Sequence, residues 1–146
     1  MTRKPKNIFV QGPISSEKIA HSIQNHSSKT EIGAHSIFLG QVRADTKNET
    51  CVKSIQYSAY EEMAMEKAFE IREETFQKYP LSCMHIYQSL GEVKVGEICL
   101  FVFTSSKHRK AAIDACEELV ERIKTEIPIW GKEIFENNDQ TWKVNN

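Results

Sequence analysis

Residues 97–135 read EICLFVFTSSKHRKAAIDACEELVERIKTEIPIWGKEIF, and the changes of period inside this stretch decide the fold. Glu97 to Thr104 is dense in apolar and aromatic residues and reads as a strand. From about Ser106 to Glu126 the apolar residues Ala112, Cys116, Leu119 and Ile123 recur at helical spacing. Pro128 breaks that helix, and Ile129–Phe135 returns to strand character. Upstream, Leu81–Leu90 is a second strand joined to the first through Gly91–Gly96. Before it, Glu61–Tyr79 is a helix with Met65, Phe69, Phe76 and Tyr79, flanked by Ala68 and Ile71, set against six glutamates; Pro80 ends it.

Further out the patterns are shorter. Val52–Tyr60 alternates and is expected to pair as a hairpin with Ala34–Val42 around the polar loop Arg43–Asn48. Ala34–Val42 is apolar on both alternating faces, which predicts a central strand covered on both sides. Ile8–Val10 is a short strand stopped by Gly12–Pro13. Ser15 then suits a helix N-cap, with Ile14 and Ile19 at staple spacing and Ile19, Ala20 and Ile23 on the apolar face. A short polar tail contains Trp142. The order β-α-β-β-α-β-β-α-β predicts an α+β fold, helices packed on a mostly antiparallel sheet, in a single domain over residues 1–146.

The 146 residues carry 19 Lys+Arg against 20 Asp+Glu. Such a balance argues against a bulk polyanion partner, so neither nucleic acid nor a membrane surface is expected. Residues 1–60 nevertheless hold 8 Lys+Arg against 4 Asp+Glu, and residues 61–146 hold 11 against 16, which leaves room for a focused cationic pocket. The cysteines, Cys51, Cys83, Cys99 and Cys116, show no CxxC or CxxH spacing, so they read as small buried hydrophobes and no metal site is expected. Reduced thiols fit a cytoplasmic protein. The basic start, Met1-Thr-Arg-Lys-Pro-Lys6, leads into too short an apolar run for a signal peptide, and no run approaches the ~20 residues of a bilayer span.

One segment breaks a local rule. Thr104-Ser-Ser-Lys-His-Arg-Lys110 places three cations and a histidine at a helix start, where the dipole already disfavours each cation by about 0.3–1 kcal/mol. Two readings fit: neutralisation by the Glu61–Glu74 run, or an anion held by the helix N-terminus with bidentate contacts from Arg109. Arg43, where an apolar strand meets a polar loop, is placed to reach a ligand. Lys124 lies at the last apolar turn of its helix. Lys132 sits in Ile127-Pro-Ile-Trp-Gly-Lys-Glu133, where Gly131 allows close approach.

Five segments in order, Phe38-Leu-Gly-Gln-Val-Arg43, Tyr57-Ser-Ala-Tyr-Glu-Glu-Met63, Gly91-Glu-Val-Lys-Val-Gly-Glu97, Ser105-Ser-Lys-His-Arg109 and Lys124-Thr-Glu-Ile-Pro-Ile-Trp130, resemble the large, catalytic subunit of molybdopterin synthase. The resemblance covers roughly residues 33–143. It implies a hammerhead-like α/β domain and a sulfurtransferase in molybdenum cofactor biosynthesis. Such an enzyme converts cyclic pyranopterin monophosphate to molybdopterin with sulfur from the C-terminal Gly-Gly thiocarboxylate of a small ubiquitin-like subunit. No cofactor is implied. Carried over, it places Gln41, Val42 and Arg43 in the substrate pocket, His108 and Arg109 on the substrate's anionic end, and Lys124 where the thiocarboxylate arrives. The family's second lysine follows the tryptophan directly, but Gly131 stands there. Lys132 is then the expected replacement, with Gly131 and Glu133 beside it among the substrate contacts.

Helix geometry adds an expectation of its own. Arg109 and Lys124 are 15 positions apart, about 22 Å at ~1.5 Å per residue. One small-molecule pocket does not readily hold both from one chain, so the expected unit is a homodimer. Its pocket would take His108 and Arg109 from one protomer and Arg43, Lys124 and Lys132 from the other. The resemblance implies two small subunits bound to this dimer, a heterotetramer. The alternative is a noncatalytic phosphate-ligand or partner-binding module of the same fold, kept open by Gly131.

Overall fold

A computed structural model describes residues 6–144; residues 1–5 of the basic N-terminal stretch lie outside it. The elements in chain order are β1 (Phe9–Gln11), α1 (Ser16–Gln24), β2 (Ala34–Gln41), β3 (Thr46–Lys47), β4 (Thr50–Ala59), α2 (Glu61–Lys78), β5 (Leu81–Lys94), β6 (Ile98–Ser106), α3 (Arg109–Glu126), β7 (Ile129–Phe135) and β8 (Gln140–Trp142). The strands line up as β2-β6-β5-β4-β7-β8, with β1 parallel to β5 and the other pairings antiparallel. This is the α+β architecture expected from the periods. β5 is long enough to serve both halves: Leu81–Gln88 pairs with β6, and Gly91–Lys94 pairs with β4.

Directly opposed residues share a sheet face. His35, Ser105 and Cys83 form one cross-strand row, Ile37, Phe103 and His85 the next, and Leu39, Phe101 and Tyr87 a third. Over this face lies the segment carrying α1, which contributes Ile14 and Ile19 to a small cluster with Phe101 and Phe103. The opposite face, with Met84, Ile86, Leu100 and Val102, packs against α2 and α3 in the main core. Ser15 caps α1 as its sequence suggests, its hydroxyl accepting from the Lys18 backbone N–H at 3.1 Å. In α3, Ala112, Cys116, Leu119 and Ile123 are all buried. In α2 the buried stripe is Ala64, Ala68, Ile71 and Thr75, while Met65, Phe69 and Phe76 are only half-buried beside it.

Three expectations are corrected. β2 is an edge strand, and it pairs with β6 rather than with β4. The polar loop after β2 turns back on β4 instead, through β3 and a two-residue turn at Asn48 and Glu49, whose φ values of 49° and 64° match the twist of a tight hairpin. At the edge, Ile37 and Leu39 stay 38% and 42% exposed, so only one face of β2 is covered. The last helix also starts later than expected. Ser105 and Ser106 end β6, and α3 begins at Arg109.

Candidate active site

The end of β2, the β3 loop, β4, β7 and the C-terminal turn of α3 enclose a cavity of 330 Å³. Gln41, Val42 and Arg43 line it from one side, Lys124 from the helix, and Glu133 from β7. Five of the residues singled out from the sequence therefore meet in one place. Two acids also line this cavity, which an anionic ligand would not welcome, but both are engaged. Glu133, buried, accepts from the Lys47 ammonium at 2.8 Å, and Asp45 pairs with Arg43 at 3.3 Å. The Arg43–Asp45 pair is exposed and worth little in water, so an incoming anion can take over the guanidinium.

A smaller cavity of 110 Å³ is lined by Lys124, Trp130, Gly131, Tyr57 and Cys99. The absence of a side chain at residue 131 has a steric reason: a Cβ there would meet Ile55 Cγ2 at 2.9 Å and the Tyr57 ring at 3.2 Å. Tyr57 fills the space a lysine stem would need. Burial first, then the nearby Cys99 thiol and Glu133, push the Tyr57 hydroxyl well above its usual range, so it stays protonated.

Lys132 does not join Lys124 in either cavity. Alternation along β7 puts Gly131 and Glu133 on one face and Lys132 on the other, where its ammonium lies 4.9 Å over the ring of Trp142, its cross-strand neighbour. The lysine that does line both cavities with Lys124 is Lys143. It follows β8, with its backbone N–H donating to the Gly131 carbonyl at 2.8 Å. Sequence reasoning passed over Lys143 because a three-residue strand pairing with β7 leaves no period, and over Tyr57 and Cys99 because a place in a strand already accounts for each. The one available signal was the pair Trp142-Lys143, which repeats the tryptophan–lysine adjacency missing at Trp130-Gly131.

His108 and Arg109 open into a separate depression of 740 Å³ with Gly33, Ala34, Lys107, Lys110, Ile113 and Asp114. His108 is the N-cap of α3 with no side-chain cap, and no acidic residue lies in the first turn. The Ser106 hydroxyl donates to the His108 carbonyl and accepts from the Ala112 N–H at 3.1 Å, fixing the turn. Gly33 lets the turn approach β2: a Cβ there would sit 2.2 Å from the Lys107 carbonyl oxygen. Lys110 pairs with Asp114 on its own helix at 3.0 Å. Of the glutamate run, Glu74 pairs with Arg122 and Glu70 with Lys67, so these charges are used away from the basic turn.

Comparison with known proteins places the fold in a family. The family model described as MoaE protein matches residues 10–126. The molybdopterin synthase catalytic subunit of Bacillus subtilis is 38% identical over 128 residues, which is 88% of this chain and 78% of its own. The X-ray structure of molybdopterin synthase from Staphylococcus aureus superposes with a TM-score of 0.81 at 32% identity and covers 99% of both chains. A complex of subunits 1 and 2 of molybdopterin-converting factor from Helicobacter pylori contains the same fold. Its TM-score is 0.79 at 20% identity, covering 94% of this chain and 90% of that one.

Proposed function

Because the chain belongs to the MoaE family, we propose that its two cationic cavities are the halves of a molybdopterin synthase active site, completed when two copies of the chain meet. The family works in molybdenum cofactor biosynthesis, and curated relatives of this chain are catalytic subunits, that is, sulfurtransferases. The observation that carries the proposal is the division of the basic residues. His108 and Arg109 stand at one end of α3, while Arg43, Lys124 and Lys143 stand at the other.

β2 supplies a way to join them. It runs from Ala34, beside the His108 depression, to Gln41, beside the Lys124 cavity, and its outer edge pairs with no strand among the described residues. A two-fold axis beside that edge sets one protomer's Ala34 end against its partner's Gln41 end. It would also cover the exposed Ile37 and Leu39. The pocket so formed takes the substrate's cyclic phosphate at the α3 N-terminus, where His108 and Arg109 supply donors and charge. The thiocarboxylate tail of a small subunit enters toward Lys124, consistent with the two-subunit complex of the Helicobacter pylori relative.

Both reactants are anions, and the cations let them approach. Lys124 would orient the thiocarboxylate and exchange a proton as sulfur adds and the phosphate ester is lost. The second cation is either Lys132, which the resemblance nominates by a one-residue shift, or Lys143, which cavity geometry supports. Incubation of the purified chain with thiocarboxylated small subunit and cyclic pyranopterin monophosphate tests the function. Dithiolene product is expected, and binding of both without product would leave the noncatalytic module instead.

A further inference from the structure

Away from these cavities, on the sheet face under α1, three metal-ligating side chains converge. His26 comes from the turn after α1, and Cys83 and His85 are alternate residues of β5 pointing to the same face. One ligand atom from each lies within 4.8 Å of the others. His26 and Cys83 are only 6% and 8% exposed. This grouping is not visible in the sequence, where Cys83 and His85 are 57 and 59 positions from His26.

The hydrogen bonds prepare the donors. The His26 Nδ1–H donates to the Ser22 carbonyl at 2.7 Å, because a carbonyl can only accept. Its Nε2 is therefore the unprotonated nitrogen; it accepts from His85 Nε2–H at 3.1 Å and can ligate once that proton has moved. A backbone carbonyl fixing the far nitrogen is the usual support for a metal-bound histidine. Two nitrogens each bound at about 2.0–2.1 Å to a tetrahedral ion lie about 3.3–3.4 Å apart, close to the spacing already present. The Lys29 ammonium donates to Cys83 Sγ at 2.9 Å, so the sulfur lone pairs face into the cluster.

We propose that His26, Cys83 and His85 form a Cys-His-His site for a zinc-class divalent ion, which ties the turn after α1 to β5. One soft thiolate and two imidazoles select zinc or cobalt(II) over magnesium or calcium, and a water completes a tetrahedron. On binding, the His85 proton moves from Nε2 to Nδ1, and any proton remaining on the Cys83 thiol is released to solvent. No electron is transferred.

Cobalt(II) titration of the purified, chelator-treated chain tests this. One equivalent should produce a near-ultraviolet thiolate-to-cobalt charge-transfer band with visible bands of tetrahedral intensity, and zinc should bleach both. Cys83→Ser should lose the charge-transfer band, and His85→Gln should weaken cobalt binding at least tenfold, with both folds verified by circular dichroism. Cys51→Ser, at a half-buried cysteine far from the cluster in sequence, should change neither. No band in the unaltered chain, or a band surviving Cys83→Ser, overturns the site. Should a variant fail to fold, X-ray absorption of the zinc-loaded wild-type chain decides: one sulfur and two imidazoles support the assignment, and an all-oxygen shell overturns it.

Discussion

Arg109 and Lys124 stand at opposite ends of one unbroken helix, and each opens into a different cavity. The separation, about 22 Å for 15 residues at ~1.5 Å each, exceeds what one small substrate spans. A shared site therefore requires two chains, and this is a statement that subunit mixing can check. Arg109→Ala and Lys124→Ala homodimers should each be inactive. Mixed after dissociation and reassociation, half of the dimers are hybrids carrying one pocket with both defects and one intact pocket. Activity should return to about a quarter of wild type per chain. A site built within one chain predicts no recovery.

The same relationship makes the β2 edge decisive. Leu39→Asp places a charge on an exposed apolar residue, so it should leave the isolated fold nearly unchanged, within about 0.5 kcal/mol. In the dimer it buries an unpaired carboxylate, which disfavours association. Sedimentation should show a monomer with native circular dichroism and no product formation. A stable, active Leu39→Asp dimer would move the interface elsewhere.

β2 also shows what the sequence could and could not convey. Elements with a sustained period, such as α3 with Ala112, Cys116, Leu119 and Ile123, were legible because a long amphipathic face has one physical explanation. Ile37 and Leu39 carried the same apolar signature as core residues and so suggested a central strand, yet the fold leaves them at an edge. Apolar composition does not distinguish a face covered by the chain itself from one left open. Likewise Arg43 and Lys124 were readable from their own places in the chain and Gln41, Val42 and Glu133 only through the family resemblance, and all five do meet. Lys143 was not readable, since its place depends on β8 pairing with β7 and on nothing local.

Gly33 predicts a different kind of loss. Its α-hydrogen faces the Lys107 carbonyl so closely that an added methyl would lie 2.2 Å from the oxygen. Backbone must move, and overpacking of this kind costs about 1–3 kcal/mol. Since the displaced segment carries His108 and Arg109, Gly33→Ala should lower the melting temperature and also raise the KM for the pyranopterin. Thermal denaturation and steady-state kinetics measure the two effects, and an unchanged KM would detach this turn from substrate binding.

The identity of the second cation can be settled by three alanine variants. Lys124→Ala should lower kcat by about 10²–10³-fold, the scale of removing one preorganised charge-stabilising group. Lys143 faces the same cavities as Lys124, whereas Lys132 lies across the strand on Trp142. Lys143→Ala should therefore impair turnover more than Lys132→Ala, whose main effect should be loss of a cation–π contact worth about 0.5–1 kcal/mol at an exposed site. Single-turnover assays with saturating thiocarboxylated subunit separate chemistry from partner binding. If Lys132→Ala proves the more damaging, the chain uses a lysine shifted by one residue despite its direction in β7. Gly131→Lys offers an independent check. Tyr57 occupies the space a side chain would need, so restoring the lysine should not restore function to Lys143→Ala unless Tyr57 is also reduced to a smaller residue.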